Sequence, residues 1–272
     1  MPELPEVETT RRGLLPRALG QQIREVIVRN RALRWPVTRG LEAAMAGARI
    51  EAIERRAKYL LFDCGSAGQL LLHLGMSGRL WVVACGEPLQ PHDHVDIVLG
   101  NGLALRLRDP RRFGALLWLA PGQGAHALLS GIGPEPLTDD FDGTWLYRVT
   151  RNRSAAIKLV LMDAHVVAGV GNIYANEALF AAGINPKLPA RRIGLARLSR
   201  LAHEVKLVLA RAIDAGGSSL RDYVDSDGKA GHFQDRFNVY DRAGEPCVHC
   251  ARPVRVIRQS ARSTFYCPHC QR

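Results

Sequence analysis

Four cysteines near the C-terminus constrain this chain more than any other feature. Cys247-x2-Cys250 is followed, after sixteen residues, by Cys267-x2-Cys270. Each short turn aims two thiolates at one point, and two such turns complete a tetrahedron of sulfurs around one Zn2+. With four protein ligands no coordination position stays open, so the expected ion is structural. Two disulfides are the competing reading, and in a reducing compartment the paired spacing favours zinc. Between the pairs, residues 254–258 and 264–266 are strand-like and flank a turn at 260–263. That pattern predicts a β-hairpin finger carrying Arg255, Arg258 and Arg262. Cys64 and Cys85 lack partners at ligand spacing and read as ordinary buried or semi-buried thiols.

A basic finger points toward a polyanion, and the rest of the chain agrees. The net charge is +11, and only five of the 37 cationic side chains are lysines. Arginine forks pair bidentately with phosphate, so nucleic acid is the expected partner. The first fifteen residues begin acidic and lack an apolar segment, so no signal peptide is expected. No run approaches the ~18 apolar residues of a membrane span. The expectation is a cytoplasmic protein, nucleoid-associated if the partner is DNA, and monomeric because one chain supplies every part.

Three regions follow from the hydrophobic pattern. Residues 1–133 hold strand-length apolar runs at 22–28, 59–63, 69–74, 95–99, 103–107 and 115–118, punctuated by Gly, Pro and Asn. A β-sandwich or flattened barrel is expected there, preceded by one helix. Pro5 suits that helix's first turn, Glu6 and Glu8 its N-terminal dipole, and Arg11, Arg12 and Gly13 its end. After a turn-rich linker at 133–143, residues 134–234 read as helical. Asn172 is placed to cap one helix, and a longer one runs from about 195 to 215. Residues 218–233 are polar and glycine-punctuated, a loop; residues 235–272 form the zinc unit. The fold class is therefore multidomain α+β.

The chemistry sits at the other end. The chain starts Met1-Pro2-Glu3, and initiator Met is normally removed before a small residue, which would leave Pro2 with a free secondary amine. Such an amine can attack an electrophilic sugar carbon and collapse to an iminium. At pH 7 roughly one α-amino group in seven is neutral, against about one unperturbed lysine in 2,500. Glu3 is adjacent and can serve as the acid–base partner.

MPELPEVETTRRGL at the start resembles formamidopyrimidine-DNA glycosylases, and the resemblance continues to the C-terminus. It runs through RRAKYLLF (55–62), LLHLGMSGRL (71–80), HDHVDI (92–97), RDPRRFGA (108–115), GPEPL (133–137), GVGNIYANEALFAAGINP (169–186), SDGKAGHFQ (226–234) and FYCPHCQR. The resemblance implies an N-terminal β-sandwich-like domain, a helix–two-turn–helix region and a C-terminal zinc finger. By the same resemblance Pro2 is the nucleophile, Glu3 the catalytic carboxylate and Glu6 a supporting carboxylate. Lys58 would bind phosphate and assist elimination. Arg262 would grip the phosphate of an everted nucleotide, with an acid role in elimination sometimes assigned to it. Met76, Arg111 and Phe113 would fill the hole left in the duplex. His92, Arg153 and Asn172 match DNA contacts, and His73, Lys158 and Tyr240 are further candidates. The implied partner is double-stranded DNA with oxidised purines or abasic sites, and the implied product a β,δ-eliminated gap.

Two alternatives stand beside this reading. An endonuclease VIII-type enzyme shares the scaffold but takes oxidised pyrimidines; those chains usually begin PEGPE, where this one has PELPEVET. A non-catalytic binder of damaged DNA would keep the finger and the basic face but lose Pro2, Glu3 or Lys58, all of which are present.

Overall fold

The computed structural model describes residues 2–218, 231 and 233–272. They fall into two compact units, Met1–Ser130 with Ala215–His232, and Gly131–Asp214 with Phe233–Arg272.

The first unit opens with α1 (Leu4–Ala18), which carries Pro5 in its first turn as expected. The helix does not stop at Gly13; it runs on to Ala18 with Pro16 inside it. Leu4, Val7, Leu14 and Ala18 lie on one helical face and are essentially inaccessible. Burying that stripe outweighs the intrinsic cost of Gly13 and of the hydrogen bond that Pro16 cannot donate.

Next come β1 (Ile23–Val28), α2 (Leu41–Met45), β2 (Ala52–Arg56), β3 (Tyr59–Asp63), β4 (Gln69–His73), β5 (Arg79–Ala84), β6 (Asp93–Leu99), β7 (Leu103–Arg108) and β8 (Ala115–Leu119). They form two four-stranded antiparallel sheets, ordered β1-β6-β7-β5 and β2-β3-β4-β8. Between them lies one core, built from Val26, Ile97, Leu105 and Leu107 on one side and Leu60, Phe62, Leu70 and Leu116 on the other. This is the expected β-sandwich. The second sheet also buries its outer face, where Leu61, Leu71 and Leu117 meet Leu128 and Leu129. That explains why YLLF and QLLLH are continuous apolar runs instead of alternating ones. Strand β2, which is polar, and strand β5, which carries the apolar run LWVVA, are absent from the sequence expectation.

The outer face of the first sheet buries charge instead. Asp96 accepts from Arg106 at 2.9 Å and from Arg29 at 2.7 Å, and Arg106 also donates to the carbonyls of Glu87 and Pro88. Burial alone would raise the Asp96 carboxyl; the two guanidinium partners outweigh it and hold it below the ordinary range. The cluster fastens the segment that leads to His92.

The second unit holds α3 (Gly143–Thr150), α4 (Ile157–Leu161), α5 (Asn172–Ala181) and α6 (Leu195–Asp214), followed by β9 (Arg255–Gln259) and β10 (Arg262–Tyr266). Helix α6 follows the predicted apolar stripe, with Leu198, Leu201, Ala202, Val205 and Leu209 buried. The N-cap of α5 is Gly171, one residue before the expected Asn172. The hairpin shares a small core with α5, where Phe180 packs with Val239, Cys247, Val254, Phe265 and Cys267. Among the described residues, no helix is long and apolar enough to cross a membrane.

Candidate active site and zinc centre

In the first unit the chain enters α1 through Pro2 and Glu3, and Glu6 fixes that entry. Its carboxylate accepts the Glu3 N–H at 2.8 Å, and its other oxygen accepts the Ser218 N–H at 2.8 Å and hydroxyl at 3.0 Å. Glu3 and Glu6 are 2% and 1% exposed. The Glu3 amide belongs to the peptide bond with Pro2, so the Glu6 carboxylate orients the proline itself. A second carboxylate on the same helix, Glu8, gathers Arg11, Arg12 and Arg55. Burial opposes ionisation of Glu8, but hydrogen bonds from Arg11 and Arg12 prevail and bring it down to about 2. Arg55 passes this anchoring on, donating to Glu8 at 3.2 Å and to the Ala57 carbonyl at 3.0 Å. The turn it grips is the β2–β3 turn, where Ala57 takes φ 52° and Lys58 follows. Lys58 acts electrostatically on His73, whose ring lies 4.8 Å from that of Tyr59. Burial first, and then the charges of Lys58 and Arg34, push His73 down to about 4. Its Nδ1 accepts the Gly75 N–H at 3.0 Å, so the neutral ring carries its proton on Nε2, a donor.

Met76, Arg111 and Phe113 come from two adjacent loops of this unit. Met76 and Phe113 are 39% and 38% exposed, and the Arg111 guanidinium lies 4.8 Å from the Phe113 ring centroid. A cavity of about 420 Å3 opens beside them, lined by Ala32, Leu33, Arg34, Arg111, Arg112 and Phe113. His92 is exposed and held at φ 74°.

In the second unit the four cysteine sulfurs lie within 4.8 Å of one another. The Cys247–Cys270 and Cys250–Cys267 sulfurs are 3.9 and 3.5 Å apart. Four thiolates around zinc at ~2.3 Å stand about 3.8 Å from each other, so the set fits one tetrahedral Zn2+. The finger hangs from the helices by polar contacts. Lys158 of α4 donates to the Ser263 carbonyl at 2.9 Å and to the Thr264 hydroxyl at 2.6 Å. Asn172 donates to the same Ser263 carbonyl at 3.1 Å, and Asn176 accepts the Phe265 N–H at 2.8 Å. The buried Glu177 carboxylate accepts four hydrogen bonds from Asn238, Val239 and Tyr240. Arg262, the first residue of β10, is exposed next to these anchors, as is the hairpin turn.

Comparison with known proteins now decides the family. Family models match the chain in three successive parts: the formamidopyrimidine-DNA glycosylase N-terminal domain over residues 1–116, the H2TH domain of the same enzymes over 132–224, and the zinc finger found in FPG and IleRS over 244–272. The chain belongs to the formamidopyrimidine-DNA glycosylases. The glycosylase of Cupriavidus pinatubonensis is 57% identical and that of Stutzerimonas stutzeri 55%, each alignment covering both chains completely. Among solved structures, the MutM (Fpg) protein of Thermus thermophilus is 41% identical with a TM-score of 0.88, over 99% of this chain and 98% of that one. Lactococcus lactis Fpg in complex with abasic-site DNA is 34% identical with a TM-score of 0.91, over 99% of both chains.

Within this glycosylase scaffold the residues expected from the sequence separate into two kinds. Pro2, Glu3 and Glu6 meet at one helix end, and Met76, Arg111 and Phe113 form one exposed group. Arg153 is half-buried and paired with Asp163 at 2.7 Å. Tyr240 is held by its own N–H on Glu177. Lys158 departs from expectation. It is 0% exposed, with its ammonium committed to the hairpin instead of being open to a phosphate. Read as a charge in a motif, it passes for a DNA contact; the fold turns it inward because β10 supplies two acceptors. Replacing it with Met keeps the volume but removes both ammonium hydrogen bonds, leaving the Thr264 hydroxyl without its donor and the Ser263 carbonyl with Asn172 alone, a loss of about 2–3 kcal/mol. The expected result is a thermal midpoint lower by roughly 5–10 °C, and an unchanged midpoint in calorimetry would contradict this role. Arg55, Ser77, Asp109 and Glu177 stood inside recognised motifs with no role assigned. Cys85, expected to be at least half-buried, is exposed. Most of the 218–233 loop lies outside the described residues.

Proposed function

We infer that this chain excises oxidised purines, 8-oxoguanine and formamidopyrimidines, from duplex DNA and then cuts the strand at the resulting abasic site. The observation that carries the reading is the Pro2–Glu3 peptide held by the buried Glu6 carboxylate, at the start of a chain 57% identical throughout to a named formamidopyrimidine-DNA glycosylase. Solved Lactococcus lactis relatives contain Fapy-dG DNA or abasic-site DNA, which are the two substrate states this reaction passes through.

With Met1 removed, the Pro2 amine attacks the anomeric carbon while the bond to the base breaks. Glu3 supplies the proton that the opening sugar or departing base requires. The resulting iminium acidifies the C2′ proton; its loss expels the 3′ phosphate, and a second elimination expels the 5′ phosphate. The nitrogen is the electron sink throughout, so the chemistry asks nothing of the zinc. Lys58 and Arg262 hold phosphates, with His73 donating from its neutral ring. His92, Arg153, Asn172 and Tyr240 complete the grip on the backbone, while Met76, Arg111 and Phe113 fill the vacated space in the duplex. The work is done on chromosomal DNA, the nucleoid in a bacterial cytoplasm.

Borohydride reduction during incubation with a duplex containing 8-oxoguanine opposite cytosine tests this directly. Mass spectrometry is expected to find the sugar adduct on Pro2. Trapping only on an oxidised-pyrimidine duplex would overturn the lesion assignment, and an adduct on another residue would overturn the role of Pro2.

A further inference from the structure

The three side chains assigned to the vacated duplex space come from two loops that the fold stacks on each other. One joins β4 to β5 through Gly75, Met76 and Ser77; the other joins β7 to β8 through Asp109, Arg111 and Phe113. Both cross from one sheet to the other at the same end of the sandwich. Their roots are paired, His73 with Ala115 and Arg79 with Arg108. The loops touch closely enough that a Cβ on Gly75 would lie 2.4 Å from the Phe113 backbone.

A single buried carboxylate fastens them. Asp109 is 0% exposed. One of its oxygens accepts the Ser77 hydroxyl at 2.7 Å and the other accepts the Gly114 N–H at 2.8 Å. The Ser77 oxygen in turn accepts the Arg111 N–H at 3.1 Å. The Asp109 backbone is tied as well: its carbonyl lies 2.8 Å from His94 Nε2, and its N–H donates to the His92 carbonyl at 3.2 Å. Every tip residue is thus flanked by a fixed neighbour. Met76 lies between Gly75 and Ser77, Arg111 hangs from the Ser77 oxygen, and Phe113 precedes the Gly114 N–H held by Asp109.

We propose that Ser77 and Asp109 are positioning residues that join the two loops into one preformed wedge, so that Met76, Arg111 and Phe113 enter a duplex together. A buried, fully bonded base with exposed tips is the arrangement that removes the cost of ordering side chains during insertion. The inference rests on the reading that these three side chains fill the duplex.

The measurement is a ratio: single-turnover cleavage at an abasic site in duplex DNA over cleavage at the same site in a single strand, where no hole exists. Loss of folded protein lowers both rates equally and leaves the ratio alone. Thr and Val at position 77 differ only in the hydroxyl. Ser77→Thr is expected to keep the ratio within about threefold, whereas Ser77→Val and Asp109→Asn lower it at least tenfold. Phe113→Ala tests the underlying reading and should lower the ratio as well. A fall with Phe113→Ala but none with Ser77→Val and Asp109→Asn would overturn the clamp while sparing that reading. No fall with Phe113→Ala would overturn both.

Discussion

Protein that keeps a residue in front of Pro2 is expected to lose base excision and strand cleavage together, by at least ~10^3-fold, the scale seen when a covalent nucleophile is removed. The reason is electronic. In a peptide bond the proline nitrogen shares its lone pair with the carbonyl and cannot attack carbon. Everything around it is expected to remain in place, since Glu6 grips the Glu3 N–H, which an added residue leaves intact. Affinity for an uncleavable abasic-site duplex should therefore fall by no more than a few-fold, separating loss of chemistry from loss of binding. A Pro2→Gly variant with a free terminus is an informative intermediate. It retains an α-amine with a comparable neutral fraction but forms an imine that must gain a proton before it can act as an electron sink. About 10- to 100-fold loss is expected, on the scale of one general acid–base contribution. Residual cleavage in the extended protein, with an adduct moved to Lys58, would show that a lysine can carry the reaction in place of Pro2.

What the sequence revealed and what it concealed divide along physical lines. The sandwich was legible because its strands carry dense apolar runs, and the zinc centre because ligand spacing is a local property. Pro2 and Glu3 stand out as candidates in the sequence because reactive atoms next to an initiator Met need no fold to be noticed. The far end of α1 differs from the expected one because Arg11, Arg12 and Gly13 are local signals, whereas burial of Leu14 and Ala18 is settled by packing. Lys158 was misplaced for a related reason: its partners, Ser263 and Thr264, lie more than a hundred positions away. Ser77 and Asp109 lie within LLHLGMSGRL and RDPRRFGA, yet their pairing is a product of sheet topology, which no single-sequence periodicity encodes. The start of α5 shows the smallest error of this kind. Gly171, with its extended backbone, takes the cap, and Asn172 begins the helix with its amide donating to the Ser263 carbonyl.

Removing the zinc is expected to cost the protein its grip on DNA, at least ~100-fold in affinity for a duplex with an abasic-site analogue. The hairpin β9–β10 has a two-residue turn, Ser260 and Ala261, with φ of 44° and 63°. Such turns favour Asn-Gly, and without those residues the local preference for the hairpin is weak. Its small core is shared with Phe180 and holds few buried side chains, too little to order a segment this short unaided. Structural zinc bound by four thiolates contributes an apparent ~10–16 kcal/mol in isolated fingers at neutral pH, so the ion decides whether the hairpin exists. Loss of the hairpin removes Arg262 and leaves Lys158, Asn172 and Asn176 without the partners that fix them. The damage thus reaches α4 and α5. Cys267→Ser, which removes the ligand that is 0% exposed, should act like a chelator, except that added zinc restores only the chelated protein. The Pro2 amine stays intact in both, so borohydride trapping on a single-stranded abasic site should survive while duplex binding fails. A zinc-free chain that kept its duplex affinity would mean that the finger holds itself together by packing alone.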